Sequence, residues 1–427
     1  VDSLSMWEAT AGERKSRPTL QGEQHCDIVI IGGGFSGLST SYHLQKMGYR
    51  TIVLEKNTVG YGASGRNGGE LLTGYHGTME SFAQKKGFET AKKMWELSLD
   101  SIDLVENITK ENGISCDLVR KGDIRPAYKV SHLEKFKRDQ EYLAEKFNFH
   151  EISIIDRSEM KTELNTDFYH GARINERGAH FHPLKFVLGL ADVVEGLGGS
   201  IFENSEAVKV KRDSADKVTV TTPNGRVIAD EVVIVTNAYA GNLDNTLKKS
   251  VIPVESIMIA TEPLTEELIQ ELIPKNRAVS DSKNLLYYFR RTGDNRMAFG
   301  GSGRALGKRA QRKLFDNLRE GMTTVFPQLK DARVEYRWGG KVGFTQDFLP
   351  YIGQLEDGTY FAFGYCGKGA AMAVMAGKVL AETIHHPDQV NNPLKKESLR
   401  PIPFHSQHAK GVGLMKFYMA FQDKYGK

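Results

Sequence analysis

Hydrophobic positions along the chain follow three patterns, and their order sets out the plan. Ile28–Ile31 is an unbroken apolar run, followed by glycines, a helical pattern that stops at Gly48, and a second run, Thr51–Leu54. Unbroken runs of that length suit buried strands, so the pattern predicts a parallel β-α-β unit. Similar grammar returns from Gly171 to Val235, with a helix over Leu184–Leu197 ending at Gly198–Gly199 and a strand over Glu206–Lys211. A hairpin at Asn224–Gly225 and an apolar strand, Glu231–Thr236, follow it. Between these stretches, residues 78–150 show helical spacing through Met94, Leu97, Ile102, Val105 and Ile108, repeated over His132–Phe147. They are expected to be cover helices without chemistry, flanking a strand pair over Cys116–Tyr128. Val254–Thr261, Leu285–Arg291 and Met297–Gly300 read as antiparallel sheet, in which side chains alternate between faces. Tyr360–Phe363 is a last strand before a small-residue helix, and Leu414–Phe421 is an amphipathic helix expected to dock on the body.

Composition narrows the classes. At 427 residues, with 40% hydrophobic and 26% charged positions, the chain suits two interleaved domains. A net charge of +4 without a dense basic block gives no nucleic-acid footprint. Cys26, Cys116 and Cys366 are odd in number and far apart, which suggests neither disulfides nor zinc and fits a reducing cytoplasm. No apolar window is long enough to span a membrane, and the first 25 residues lack the apolar core of a signal peptide.

The chemistry begins between the two apolar runs. Gly32, Gly34 and Gly37 stand at G-x-G-x-x-G spacing, with Phe35 and Ser36 opening the helix. Gly32 permits the tight turn, Gly34 the approach of a pyrophosphate, and Gly37 close helix–strand packing. The free N–H groups of the helix start favour phosphate. Glu55, 23 residues beyond Gly32 and followed by Lys56, can accept from ribose hydroxyls, a charge-assisted bond worth roughly 1.5–3 kcal/mol. That motif alone fits NAD as well as FAD. The loop after it carries Gly60, Gly62, Ser64, Gly65, Arg66, Asn67, Gly68 and Gly69. It reads as a second cradle, with amides and the Ser64, Arg66 and Asn67 side chains turned to the cofactor's phosphates and far end. Glu70 and Leu71 extend it. Ala207 and Val208 at a sheet edge, Asn237 and Ala238 at a strand end, and Gly340 are further candidate contacts. Gly364, Gly367 and Gly369 precede a second helix start, where Gly367, Lys368, Gly369, Ala370 and Ala371 are expected to meet the cofactor. The run Ala370–Gly377 is expected to serve close packing. His180 and His182 are expected to cap a helix, with no metal site. In Tyr287–Arg291, one face carries Tyr288 and Arg290 and the other Tyr287, Phe289 and Arg291; whichever face looks into a pocket would meet substrate.

Taken together, these stretches resemble the D-amino acid oxidase-type FAD-dependent oxidoreductases. ASGRNGGEL (63–71), HFHPLKF (180–186), NAYAG (237–241), LIPKN (272–276), DNR (294–296) with GG (300–301), FPQLK (326–330) and YRW (336–338) are similar to the gamma-glutamylputrescine oxidases within that family. The resemblance implies an α/β fold with an α+β second domain: a Rossmann-type FAD-binding domain and an interleaved substrate domain on an antiparallel sheet. Expected boundaries are an arm over 1–24 that packs Met6 and Trp7, FAD-binding segments 25–80, 168–245 and 331–390, substrate segments 81–167 and 246–330, and a C-terminal segment 391–427. It implies oxidation of a carbon–nitrogen bond in a small-molecule amine by hydride transfer to flavin, hydrolysis of the imine, and reoxidation by oxygen or another acceptor. Sarcosine oxidases attach flavin through a cysteine in a segment matching Gly339–Phe344. None stands there, so FAD is expected to be non-covalent. Their oxygen-activating lysine is absent from Met297–Phe299, which argues against fast peroxide formation. Their carboxylate-binding positions fall at Gly367 and Ala371. Lys368, where histidine is usual in the gamma-glutamylputrescine oxidases, is either a cation near the flavin or an exposed lysine.

Hydride release needs a free nitrogen lone pair. An amine with a lysine-like pKa is neutralised at pH 7 at a cost of about 4.6 kcal/mol. Burial alone can supply most of that, so orientation and desolvation near Tyr288, Arg290 and Lys368 are the expected protein contributions. The alternatives are an N-methyl amino acid oxidase or demethylase, and a non-catalytic flavin-binding assembly factor or sensor.

Overall fold

The computed structural model describes residues 4–426 except Ala215, Asn242 and 304–307. Val1–Ser3 of the expected arm, and Lys427, lie outside the described residues. A six-stranded sheet has the order Tyr351–Gln354, Tyr360–Phe363, Glu231–Ile234, Ile28–Ile31, Thr51–Leu54, Ser200–Phe202. All but the edge strand Tyr351–Gln354 run parallel. The unbroken apolar runs are explained by burial on both faces. Ile28, Ile30 and Val53 pack with Leu38 and Val374 from two helices, Phe35–Lys46 and Gly369–His385. Val29, Ile31, Ile52 and Leu54 pack instead against Val218, Val220 and Val227 of a separate four-stranded sheet. The two helices approach closely at Gly377, where a Cβ would lie 2.6 Å from the Ser36 carbonyl and from Ser39 Cβ. The small-residue run is therefore close packing, and Ser39 Oγ donates to the Val374 carbonyl at 2.6 Å across it.

An eight-stranded sheet has the order Val334–Phe344, Ile252–Thr261, Met297–Ser302, Tyr288–Arg291, Ala278–Ser280, Asp123–Pro126, Gly171–Asn175, Ile152–Asp156. It is antiparallel except where Ala278–Ser280 meets Asp123–Pro126. One face carries Ile257, Ile259, Phe289 and Phe299 onto Phe315, Leu318 and Met322 of the helix Lys308–Val325. The other face, with Met258, Ala260 and Ala298, joins the core around the first sheet.

Several expected elements shift. Gly171–Asn175 and Val334–Phe344, expected in the FAD-binding segments, belong to the eight-stranded sheet, where each pairs along its length with a partner strand. Cys116–Tyr128 yields one strand, Asp123–Pro126, plus a single bridge between Val119 and His180. The expected strand Glu206–Lys211 begins only at Lys209, in the four-stranded sheet. Among the described residues, no helix is long and apolar enough to cross a membrane. The terminal helix His408–Tyr425 docks through Asp423, which accepts from the Asn284 and Leu285 amides at 2.8 and 3.0 Å.

Candidate active site

Between the two sheets runs a cavity of about 2200 Å³, larger than the usual 300–1,000 Å³ of a small-molecule pocket. One end is the turn after Ile31. Gly32 has φ +118° and Gly34 caps the helix Phe35–Lys46 with no side chain of its own. A Cβ on Gly34 would come 2.7 Å from Ser64 Oγ. Glu55 is tied in place, accepting from the Gly33 amide at 2.8 Å and the Asn57 amide at 2.9 Å. Burial pushes its carboxyl above the usual range.

Of the expected cofactor contacts, Gly32, Gly34, Phe35, Ser36, Glu55, Lys56, Ser64, Arg66, Asn67, Gly68, Glu70, Ala207, Asn237, Ala238, Gly340, Gly367, Lys368, Gly369 and Ala370 reach the cavity wall. Gly37 lies behind it, against the Gly32 carbonyl, and Gly65 behind it against the Gly60 carbonyl. Gly69 has φ +73° and packs against the Phe181 carbonyl, while Leu71 and Ala371 are core. Val208 is not a cavity residue: it is 53% exposed, its amide donating to the Thr221 carbonyl of the four-stranded sheet.

The loop expected as a second cradle turns its backbone to the cavity, and its side chains are held by the loop, the adjoining helix start and the arm. Asn67 Nδ2 donates to the Ala63 and Ser64 carbonyls at 3.0 Å, and Oδ1 accepts from the Gly69 amide at 2.7 Å. Ser64 Oγ accepts from the Phe35 amide at 2.9 Å, and Arg66 Nε donates to the Tyr61 carbonyl at 2.9 Å. The arm supplies a buttress. Ser5 caps a short helix, Met6–Thr10, that buries Trp7, whose indole donates to the Asn67 carbonyl at 2.8 Å.

Alternation in Tyr288–Arg291 turns Tyr288 and Arg290 away from the Phe289 core, yet the two end at different depths. Tyr288 lines the cavity, its ring over Gly300 of the next strand and its hydroxyl 2.9 Å from Ser256 Oγ. Arg290, expected as a substrate contact, is 2% exposed and off the cavity wall. Its donors are spent on the Gly68, Phe181 and Arg291 carbonyls at 2.8, 2.6 and 3.1 Å. Its guanidinium lies over the Trp7 ring, beside His180 Nδ1 at 3.2 Å. His182 caps the helix Pro183–Gly196 and meets Thr10 Oγ1 at 3.0 Å; burial drives both histidines down to about 3.

Lys368 stands at the start of the helix Gly369–His385 and is half-buried, its ammonium donating to the Thr73 carbonyl at 2.8 Å. Burial, with Arg125 and Arg173 nearby, pushes it down to about 7. Beyond it the cavity continues into a wall of Tyr75, Trp95, Asp123, Arg125, Asp139 and Arg173, all from segments expected to carry no chemistry or to belong elsewhere. The available signal was the alternation in Asp123-Ile124-Arg125, which puts two charges on one face of a strand.

The cavity suits a long cofactor with an anionic middle. Its glycine turn and helix starts present amides, Glu55 is held at one end, and Glu70 Oε1 is buried on the wall without a partner. Residues 27–383 match the family model for FAD-dependent oxidoreductases of the DAO type, and the chain belongs to that family. It is an FAD-dependent amine or amino-acid oxidoreductase. Among its relatives, the chain is 32% identical to gamma-glutamylputrescine oxidoreductase of Escherichia coli over 381 residues, 89% of this chain and 88% of the other. It is also 32% identical to the probable oxidoreductase OrdL of Haemophilus influenzae over 415 residues, 96% and 94% of the two chains. Glycine oxidase from Geobacillus kaustophilus shares the fold, with a TM-score of 0.71 at 22% identity over 89% of this chain and 98% of that one. The fold is thus a Rossmann-type FAD-binding domain with a substrate domain on a mixed, largely antiparallel sheet.

Proposed function

We propose that the chain oxidises the terminal amine of gamma-glutamylputrescine or a close relative. The observation that carries this is the cavity's continuation past Tyr288 and Lys368 into an aromatic and charged extension, which gives room for a long substrate. Similarity to the E. coli enzyme supports the choice of amine. The eight-stranded sheet serves as substrate platform and the six-stranded sheet as cofactor platform. Bound FAD supplies the two-electron acceptor that turns the amine into an imine, which water hydrolyses.

The protein's part is to orient the amine and hold its proton. Tyr288 fixes one side, its hydroxyl restrained by Ser256. Lys368, once neutral, keeps an N–H for Thr73 and turns a lone pair to the cavity, where it accepts the substrate ammonium's proton. Its lowered pKa sets the sign of the pH dependence. Flavin reduction in single-turnover mixing should rise with pH through an apparent pKa near 7, and Lys368→Met should abolish that limb. A limb unchanged in the variant removes Lys368 from proton transfer. The same burial destabilises the fold below about pH 7, and the penalty fades as pH rises toward 10.5, the lysine's ordinary value.

FAD is held without a covalent bond. Cys366 reaches the cavity wall, but its thiol donates to the Gly364 carbonyl at 3.1 Å and burial pushes it up to about 11, so it is a poor nucleophile. Acid precipitation should leave the flavin in the supernatant; flavin retained in the pellet contradicts this. All three cysteines are free and buried, in keeping with a cytoplasmic protein.

Anaerobic mixing of the yellow protein with polyamines, glutamylated polyamines and N-methyl amino acids tests the reaction. Bleaching is expected fastest with the glutamylated diamine. Bleaching by none ends the amine reading, and bleaching by N-methyl amino acids alone replaces it with a demethylase. Peroxide after admitting air distinguishes oxidase from dehydrogenase.

A further inference from the structure

The extension beyond Lys368 has the chemistry of a recognition site in its own right. Arg125 and Arg173 stand directly opposite each other on the antiparallel strands Asp123–Pro126 and Gly171–Asn175, and both line the cavity. Like charges in cross-strand positions oppose folding, so such a pair needs an explanation. Neither guanidinium makes a hydrogen bond or ion pair among the described residues. Arg125 lies over the Phe136 ring at 5.6 Å, and Arg173 Nε is buried without a partner. Asp123, Asp139 and Asp281 are near enough to act on Arg125 by charge, but none hydrogen-bonds it. Across the extension, Asp139 projects from the helix Val130–Phe147, also unpaired. Trp95, 6% exposed, lines the same wall with its indole N–H unpartnered. Two unpaired forks, an unpaired carboxylate and an orphaned indole donor thus face one space. Gly74 lies between that space and Lys368: a Cβ there would lie 3.4 Å from Trp95 and 3.9 Å from Lys368 Nζ.

We propose that this extension binds the α-amino-acid head of a long substrate, remote from the amine being oxidised. Arg125 and Arg173 grip the α-carboxylate, each through its planar fork. Asp139 takes the α-ammonium, and Trp95 Nε1 donates to the second carboxylate oxygen. The substrate class is a linear amine that ends in a zwitterionic amino-acid head. The assignment rests on the reading of the site as an amine oxidase, and it names the residues that would prefer a glutamylated diamine over a free one.

Binding can be measured apart from turnover. The probe is γ-glutamylpropylamide, which keeps the head and lacks the terminal amine, titrated calorimetrically into the FAD-loaded protein. Its partner is 4-aminobutyryl-propylamide, identical except for the missing carboxylate. The native protein should bind the first at least tenfold more tightly than the second. Arg125→Gln and Arg173→Gln should each reduce that preference by tenfold or more, and Arg173→Lys, which keeps charge without the fork, should recover part of it. Removing one of two facing like charges spares the fold, and the flavin-to-protein ratio confirms that each variant is loaded. Equal binding of the two probes, or loaded variants with the native preference, overturns the assignment while leaving amine oxidation standing. Arginine-dependent binding of the probe with no bleaching by any glutamylated amine upholds the head site and rejects the reaction.

Discussion

Gly37→Val should yield a folded, colourless protein whose affinity for FAD has fallen by a hundredfold or more, about 2.7 kcal/mol. A Cβ at Gly37 would overlap the Gly32 carbonyl oxygen and lie 3.1 Å from Gly32 C and 3.3 Å from Ile30 Cγ2. The oxygen belongs to backbone in the same tight turn, so no side chain can swing aside. Relief comes only by lifting the helix Phe35–Lys46 off the strand Ile28–Ile31. Overpacking of this kind costs about 1–3 kcal/mol of stability, which a chain with this much core can bear. The cofactor site is less tolerant, because the amides after Gly34 must converge on one phosphate position to act together. Gly196→Ala is the control: it ends a helix, its Cβ meets nothing within 4 Å, and its protein should stay yellow. Flavin absorbance after purification and calorimetric titration with FAD read both variants. Native affinity in Gly37→Val means the turn does not hold the pyrophosphate.

The turn was legible in sequence because its reason is local. Glycine is needed where a carbonyl crowds the missing Cβ, and the strand–glycine–helix order shows where that happens. The glycine-rich loop Gly60–Gly69 on the cavity wall was legible for the same reason, but only in its backbone. The side chains of Ser64, Arg66 and Asn67 looked like ligands, yet each has a neighbour a few residues away or on the adjoining helix start. Short-range partners of that kind come from the loop's path, which composition does not encode. Arg125 and Arg173 escaped because their juxtaposition is made by strand register, not by spacing. Trp7 is similar: burial was foreseeable for a tryptophan, but its carbonyl partner sixty residues on was not. In Tyr287–Arg291, alternation paired Tyr288 with Arg290 on one face and said nothing of which face meets the cavity, or at what depth. Tyr288 reaches the cavity across Gly300, and Arg290 stops behind the Gly68 and Phe181 carbonyls.

That difference in depth makes Arg290→Met the most informative change on the sheet. If Arg290 touched substrate, the variant would keep FAD and lose only amine-dependent reduction. The geometry predicts the opposite order of events. Methionine fills much of the volume but leaves the Gly68, Phe181 and Arg291 carbonyls without the donor that now serves all three. Each buried group left unpaired costs about 1–3 kcal/mol, so the total is at least roughly 3 kcal/mol against the 5–15 kcal/mol typical of a whole domain. With about 2.1 cal/mol/K of unfolding entropy per residue over 427 residues, the unfolding midpoint should fall by about 3 °C or more. The Gly68 carbonyl belongs to the glycine-rich loop on the cavity wall and the Phe181 carbonyl packs against Gly69, so the loss is centred on that loop. FAD should therefore dissociate before the chain unfolds, and heating should release flavin fluorescence below the loss of helical signal. Arg290→Lys restores the charge but not the fork, and one ammonium cannot span the three carbonyls; its midpoint should lie between the two. Tyr288→Phe is the contrasting variant, removing one hydroxyl from the cavity wall without orphaning a backbone group. It should stay yellow, with its effect confined to amine-dependent reduction. An Arg290→Met protein that holds FAD at native strength and fails only with amines would move Arg290 from scaffold to substrate contact, and the wall of the site with it.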